Sequence, residues 1–310
     1  GTNHQYMLFF TQKGKCFWMR VYEIPEGSRT SKGRAIQNLI NIEQDDKVKA
    51  FICTKDLKDE DYINQHYVIM ATKKGQVKKT SLEKYSRPRI NGINAITIKE
   101  GDELLVAKLT NGESQVMMAL KSGKAIRFEE VKTRPMGRSA SGVRGIRLQH
   151  DKDEVIGMVS VNDMESNILV VSSNGYGKRS KLEDYRVTNR GGKGVKTISI
   201  TDKTGSLVSI KNVNDTNGLM IINKSGIAIR MAVKDLRVMG RATQGVKLIN
   251  IKKGDSIAAV AKVMHEEQDE QEETLVQTED TASSEVENVI ESNKDISLEI
   301  TNEEQENTEE

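Results

Sequence analysis

The sequence contains very little cysteine and no long hydrophobic run. Its two cysteines, Cys16 and Cys53, argue against a disulfide framework and favour a reducing compartment. Both lie in apolar runs, so we expect buried thiols. The 310 residues show no signal peptide and no stretch of roughly twenty apolar residues. The sequence therefore predicts a soluble, cytoplasmic protein with no membrane partner.

Residues suited to catalysis, metal binding and base stacking are also sparse. The 4 histidines are scattered, and no cysteine or carboxylate accompanies them at the spacing of a metal site. A Walker A loop is absent. Aromatic residues make up 4% of the chain, too few for the stacking platforms of a single-strand or RNA binder. We expect no catalytic residue, no metal and no cofactor in this chain.

Charge of opposite sign is segregated along the chain. Residues 265–310 contain 18 acidic residues and one basic residue, a net charge of −17. Because the whole chain carries +2, residues 1–264 carry +19. A basic body of this kind favours a polyanionic partner. Low hydrophobicity and high charge predict a disordered acidic tail over 265–310, which could compete with that partner within the same molecule.

Five internal repeats fill the basic body. Each repeat has an apolar run, a glycine turn, a basic strand and a second glycine further on. Short β-branched segments separated by Gly, Asn and Asp predict four strands in each repeat. Four strands recurring at about fifty residues are typical of a propeller-like array of blades. We therefore predict an all-β body over 1–264 with five four-stranded blades, the alternative being a long β-sandwich. The polar insertion at 55–66 is predicted to be a surface loop.

Basic residues recur at equivalent places in these repeats. In a radial array such positions would form a continuous basic rim, which suits the phosphates of duplex DNA without base readout. The alternative for any single residue is an ordinary solvated surface. The candidate DNA-binding residues after the turn glycine are Lys78, Lys79, Arg127, Lys178, Arg179 and Arg230. Those around the second glycine are Arg29, Lys32, Arg34, Arg87, Arg89, Arg138, Arg144, Arg190, Gly191, Gly192, Lys193, Arg241 and Lys247.

Several segments, among them YMLFFTQKGKCFWMRVYEIPEGSRTSKGRAIQNL, NGYGKRSKLEDYRV and RVMGRATQGVKLI, resemble the C-terminal domain of the A subunit of bacterial DNA gyrase. The resemblance runs in register from about residue 2 to residue 264. It implies a β-pinwheel, a propeller variant whose blades exchange strands, with DNA bent around its basic perimeter. It also implies a nucleoid-associated, ATP-hydrolysing type IIA topoisomerase of A₂B₂ composition that introduces negative supercoils. ATP and Mg²⁺ would be used elsewhere in that enzyme, and this chain itself would cleave nothing.

One feature departs from the family pattern. The family's glycine-rich box, Gln-basic-Arg-Gly-Gly-basic-Gly, belongs to the first of typically six blades, whereas the first repeat here resembles the second. The box-bearing blade is therefore expected to be missing from this sequence. A box-like segment, TNRGGKG at 188–194, occurs in the fourth repeat and is interpreted either as a functional box or as an ordinary loop. The corresponding domain of topoisomerase IV, which acts in decatenation, and a propeller that serves as a protein-interaction scaffold remain as alternatives.

Overall fold

The computed structural model describes residues 2–28, 31–252 and 254–264. These residues form one short α-helix, α1 (Glu60–Gln65), nineteen strands, and five short 3-10 helices (Val21–Glu23, Ile36–Asn38, Leu82–Tyr85, Glu130–Lys132 and Leu182–Asp184). The strands are β1 Tyr6–Thr11, β2 Lys15–Arg20, β3 Val48–Thr54, β4 Tyr67–Thr72, β5 Gln76–Ser81, β6 Ile93–Asn94, β7 Leu104–Thr110, β8 Gln115–Leu120, β9 Lys124–Glu129, β10 Val143–Arg144, β11 Val155–Val161, β12 Asn167–Ser172, β13 Tyr176–Lys181, β14 Val195–Lys196, β15 Leu207–Val213, β16 Asn217–Asn223, β17 Ala228–Ala232, β18 Val246–Lys247 and β19 Ile257–Met264.

The strands pair into five antiparallel sheets, one for each repeat. Four sheets have four strands each, in the orders β3-β1-β2-β6, β10-β5-β4-β7, β11-β8-β9-β14 and β15-β12-β13-β18. In each of them the two-residue outer strand (β6, β10, β14 or β18) comes from the following repeat, so neighbouring blades exchange strands. The predicted all-β, five-bladed pinwheel is therefore confirmed.

The fifth sheet differs from the prediction because it has three strands, β17-β16-β19. The outer strand of every other sheet comes from the following repeat, and no further repeat follows within the described residues. The first sheet also leaves part of one face uncovered. Phe51 on β3 is 66% exposed, whereas Ala107 at the corresponding position of β7 is buried. An apolar side chain at this position is covered only where another blade packs against it.

The hydrophobic core lies between neighbouring sheets. Along β4, Val68 and Met70 pack in the cluster shared with the first blade. Ile69 and Ala71, which alternate with them, pack in the cluster shared with the third blade. Because both faces of the strand are buried, it is an uninterrupted apolar run rather than an alternating one. Full burial of such side chains stabilises by about 1.5–3 kcal/mol each.

The second glycine of each repeat has a positive φ, and in the second to fifth repeats it also lies tightly against the preceding blade. Gly194 has a φ of +71°, and a Cβ there would lie 2.6 Å from the carbonyl oxygen of Ala125 in the preceding blade. Gly245 has a φ of +80° and makes the same close approach to the backbone of Gly177. These glycines allow the chain to turn tightly against the preceding blade before it donates its outer strand.

Two local expectations were wrong. The insertion at 55–66 is not only a surface loop, because it contains α1, and Leu57 and Ile63 are buried in the core of the first two blades. Asp59 begins this helix by accepting a hydrogen bond from the Tyr62 N–H. Cys16 is buried as expected, but Cys53 is exposed. Within the described residues, no helix is long and apolar enough to cross a membrane.

Candidate nucleic-acid interface

Four loops carry the chain from one blade to the outer strand of the blade before it. We call them the exchange loops; they comprise residues 86–92, 133–142, 185–194 and 236–245. Three of them lie along the second strand of the preceding blade through short parallel bridges, which pair Lys79 with Pro135, Arg127 with Val187, and Arg179 with Val238. The exchange loops therefore form the outer boundary of successive blades.

An exposed arginine stands at the same place in every exchange loop, directly before the proline or valine of the bridge position. In the third loop, buried Tyr185 points inward and Arg186 outward, as neighbouring residues of an extended chain do. The four arginines are Arg87, Arg134, Arg186 and Arg237. Sequence reasoning identified only the first. Aligning the loops on their Arg-Pro and Arg-Val pairs, rather than on the glycine, would have found the other three.

Other predicted residues extend this basic surface. Arg144 and Lys247 are the second residues of two outer strands and are exposed. Lys196, at the same position of β14, is exposed as well. Further exposed members of the predicted set are Lys32, Arg34, Arg89, Gly192, Lys193 and Arg230. Arg29 lies outside the described residues. DNA contact by these residues stays a prediction.

The box-like segment 188–194 lies in the third exchange loop and is anchored by its own arginine. Half-buried Arg190 donates hydrogen bonds from Nε to Lys132 O (3.0 Å) and from Nη1 to Arg144 O (3.1 Å). The N–H of half-buried Gly191 donates to Gly145 O at 2.6 Å. A cavity of about 210 Å³ opens beside this loop, lined by Arg186 and Lys193 among others. The arginine therefore fixes the loop against the preceding repeat, and Arg186 and Lys193 supply the accessible charge.

Arg138 and Arg241, which like Arg190 stand four residues before the second glycine of their repeats, are also half-buried. Arg241 donates a hydrogen bond from Nη1 to Lys196 O at 3.0 Å, in the same way as Arg190. The carbonyl of Arg138 accepts a hydrogen bond from the Lys78 ammonium at 2.6 Å. All three residues therefore lie at the junction of two repeats. Part of their recurrence in the sequence reflects loop anchoring.

Five predicted DNA-binding residues are buried, so their expected place on an exposed rim was wrong. Lys78 is fully buried and donates hydrogen bonds to Ala95 O and Arg138 O, both at 2.6 Å. Lys178 is buried at the equivalent position of β13 and donates to Gly240 O. Burial and the nearby Arg138 guanidinium lower the pKa of Lys78 to about 7, and burial lowers the pKa of Lys178 to about 8.

The remaining three buried residues occupy the next position along the strand. Arg127 donates from Nη1 to Leu182 O (2.7 Å) and Tyr185 O (3.0 Å), and Arg179 forms an ion pair with Asp215. Lys79 lies 3.8 Å from a Glu130 carboxylate oxygen and 4.9 Å from the centre of the Tyr67 ring. Polar groups as deeply buried as these need such partners. Basic residues recur here because successive blades are joined through them.

The described residues contain no cluster of side chains suited to binding a metal ion. No group of three or more histidine, cysteine or acidic side chains lies close enough together there to hold a metal ion. The exposed basic side chains instead recur at equivalent positions of repeated loops, an arrangement suited to a repeating anionic polymer.

The sequence matches the family described as "DNA gyrase C-terminal domain, beta-propeller" over residues 5–55, 66–111, 115–162, 166–214 and 219–264. The chain belongs to this family. These segments correspond to the five repeats. The gyrase A resemblance seen in the sequence is therefore confirmed, while the absence of a box-bearing first blade stays an expectation.

Relatives of this chain agree with the assignment, because they are DNA gyrase A subunits. This chain is 42% identical to the DNA gyrase A subunit of Staphylococcus aureus (strain NCTC 8325 / PS 47). It is also 42% identical to that of Staphylococcus epidermidis (strain ATCC 12228 / FDA PCI 1200). The alignments cover 88% and 86% of this chain but 30% and 29% of those proteins, so the chain spans about a third of their length.

Two solved structures share the fold. A DNA gyrase A C-terminal domain superposes with a TM-score of 0.73 at 23% identity, covering 85% of this chain and 84% of that one. The C-terminal domain of DNA topoisomerase IV superposes with a TM-score of 0.76 at 22% identity, covering 89% and 84%. At these identities the superpositions establish the fold alone.

Proposed function

We propose that this gyrase-family domain binds duplex DNA along its exchange loops and bends it, without reading its sequence. The observation that carries this proposal is the exposed arginine at the same position of four successive loops (Arg87, Arg134, Arg186 and Arg237). Arginine binds phosphate oxygens through a planar fork of N–H groups. Arg144, Lys196 and Lys247 on the adjoining outer strands add positive charge to the same boundary.

The geometry supports bending rather than a single local contact. Each arginine belongs to a different blade junction, so a duplex that meets several of them must follow successive blades. Smooth bending of a 20–30 base-pair site costs roughly 1–10 kcal/mol, which several phosphate contacts can offset. Since the four exchange loops contain no helix that could enter a groove, the proposed recognition is independent of sequence.

We further propose that the domain works within a whole gyrase, joined to the rest of the A subunit and to the B subunit in an A₂B₂ enzyme. Bending of DNA by this domain would support ATP-dependent negative supercoiling, with bond cleavage and ATP hydrolysis performed elsewhere in the enzyme. Identity of 42% to gyrase A subunits favours this role over the decatenating role of a topoisomerase IV domain, which the shared fold alone does not discriminate. Exposed arginines at repeated positions count against a neutral protein-interaction scaffold.

A salt titration of duplex affinity tests the proposal. Contact with roughly six to ten phosphates predicts a loss of affinity of about 10³–10⁵-fold between 50 and 200 mM salt. Replacing all four exposed arginines by alanine gives the exchange-loop variant. Its salt slope should fall by about 3.6, because each phosphate that is no longer neutralised lowers the slope by about 0.9. A flat salt response of the wild-type chain would contradict the proposal.

A charge-matched control separates position from net charge. It replaces four exposed lysines outside the exchange loops by alanine: Lys55, Lys58, Lys99 and Lys224. The control removes the same number of positive charges, but we expect it to retain most of the wild-type affinity and slope. Equal losses in the two variants would show that net charge, not the exchange loops, determines DNA binding.

A further inference from the structure

Two of the buried lysines lie directly beneath two of the exchange loops. Lys78 on β5 donates a hydrogen bond from Nζ to Arg138 O at 2.6 Å, and Lys178 on β13 donates from Nζ to Gly240 O. Because both side chains are buried, each ammonium holds its loop from the side that faces the protein. The two loops contain the only Met-Gly pairs of the exchange loops, and we call them the Met-Gly loops: residues 133–142 and 236–245.

The fold does not require a lysine at this position. The equivalent residues of the first and third repeats are Phe17 and Ile126, each 2% exposed, and they lie beneath the other two exchange loops. An apolar side chain is therefore sufficient to fill the position. Burial of an ammonium there costs free energy that an apolar side chain does not. The lysines therefore serve something other than packing.

The lysines accompany one particular loop sequence. Both loops above a lysine contain Arg-x-Met-Gly-Arg, at residues 134–138 and 237–241. The corresponding residues 87–91 and 186–190 of the other two exchange loops contain no Met-Gly pair. Because the lysine and the Met-Gly pair occur together in two separate repeats, we infer that the ammonium and the turn of the loop act as a unit.

The glycines of the Met-Gly loops have no steric reason within the described protein to be glycine. Gly137 and Gly240 do not have a positive φ, and a Cβ at either would meet no atom within 4 Å. Both residues are exposed. Glycine allows the backbone to approach a bound molecule closely. A duplex that reaches the exposed arginine of each loop, Arg134 or Arg237, can therefore also lie close to the turn.

We propose that Lys78 and Lys178 are positioning residues for duplex binding, which hold the turns of the Met-Gly loops so that each turn and its exposed arginine meet the phosphate backbone together. The inference rests on the proposed DNA binding and deepens it, because it gives a role to buried lysines that do not touch the duplex. A loop that is already held in place loses less conformational entropy on binding, so less of the contact energy is offset.

Replacing both lysines by methionine in the full chain tests this role. The double variant is Lys78→Met with Lys178→Met, and Ile126→Met is the matched control at the same buried position. Duplex affinity at 50 mM salt should fall about fivefold in the double variant and stay within about twofold of wild type in the control. Since apolar residues fill the position in two other repeats, the double variant should still unfold cooperatively in urea.

Hydrogen exchange followed by NMR shows whether the loops themselves are affected. The N–H groups of Ala140 and Thr243 donate to the glycine carbonyls of the two turns, and they should exchange about fivefold faster in the double variant. The N–H of Thr188, which donates to Arg127 O in the loop above Ile126, should exchange as in the wild type. Turn amides that exchange at the wild-type rate would overturn the inference, as would faster exchange with unchanged duplex affinity.

The pH dependence of duplex affinity is a readout that simple packing would not affect. The pKa of Lys78 is about 7 and that of Lys178 about 8, so both ammoniums lose a proton between pH 6.5 and 9 and then donate more weakly. The affinity of the wild type should therefore fall across this range more than that of the double variant. The charged or titratable groups around the two ammoniums are Arg138, Arg241, Asp184 and Tyr85.

The outcomes separate this inference from the proposed function. A wild-type chain that does not bind duplex DNA would contradict the proposed function itself. A wild-type chain that binds, together with a double variant of equal affinity or with the same pH profile, would overturn only the positioning role.

Discussion

Arg127 and Arg186 are both arginines of the third blade junction, but the structure gives them opposite roles. Arg127 is 9% exposed, and its guanidinium donates to Leu182 O and Tyr185 O, with Nε donating to Gln115. Arg127→Ala would remove the guanidinium donor to Tyr185 O and would leave Leu182 O with only the Tyr185 N–H as a donor. A hydrogen bond from a charged donor contributes about 1.5–3 kcal/mol. Because one guanidinium makes all of these bonds, their contributions do not simply add, and we expect a loss of about 3–5 kcal/mol.

Urea unfolding measures this loss, and Arg186→Ala is the matched control. With a slope of about 1–3 kcal/mol per molar urea, the midpoint of Arg127→Ala should fall by roughly 1–5 M. The exposed Arg186→Ala should stay within about 0.5 kcal/mol of wild type. Its effect should appear instead in DNA binding, as a salt slope reduced by about 0.9. The reasoning is refuted if Arg127→Ala unfolds at the wild-type midpoint but loses DNA affinity, while Arg186→Ala binds DNA normally.

Three further perturbations probe the fold, its pH dependence and the tail. The pKa of Lys78 in the folded state is about 7, below its ordinary value of 10.5. Between pH 7 and 10.5 the unfolded chain therefore binds more protons than the folded chain, so the free energy of unfolding should rise with pH across that window. Urea midpoints from pH 6.5 to 9.5 should show this rise in the wild type and a smaller one in Lys78→Met. Gly194→Ala should cost at least about 2 kcal/mol more than Gly226→Ala, because both glycines have a positive φ but only the first has backbone within 4 Å of a new Cβ. Equal thermal-unfolding shifts would show that the close approach is unimportant. Residues 265–310 lie outside the described residues and carry a net charge of −17. Deleting them should tighten DNA binding at low salt, and this gain in affinity should shrink as the salt concentration rises. Equal affinities at every salt concentration would leave the tail only a role in solubility.

The repeat pattern predicted the blades because it is a local property of the sequence. Each apolar run, glycine turn and basic strand forms a hairpin from neighbouring residues, so the spacing of glycines sufficed. The outer strands were less predictable. Within GVRGIRL at 142–148, only Val143 and Arg144 pair, and they pair with the preceding blade. Such pairing depends on contacts between repeats, which a strand pattern alone does not reveal.

The basic residues were harder to interpret because one residue type serves two purposes. The first repeat shows the distinction, since Trp18 stands four residues after its turn glycine, where the third repeat has Arg127. The Trp18 Nε1 donates to Tyr85 O at 3.0 Å, and the Arg127 guanidinium donates to Tyr185 O at the same distance. The position therefore requires a long hydrogen-bond donor rather than a charge. Trp18, an uncharged donor at this position of the first repeat, was the feature of the sequence that indicated a role in joining blades.

The proposed bending of DNA is tested most directly by the topology of a closed circle. Relaxed nicked plasmid is sealed by ligase with the full chain bound at 50 mM salt, the protein is removed, and the topoisomers are separated by electrophoresis. We expect the wild-type chain to shift the linking-number distribution in proportion to the amount bound, and the exchange-loop variant to leave it at the protein-free position. A wild-type distribution identical to the protein-free control, or an undiminished shift with the exchange-loop variant, would contradict the account.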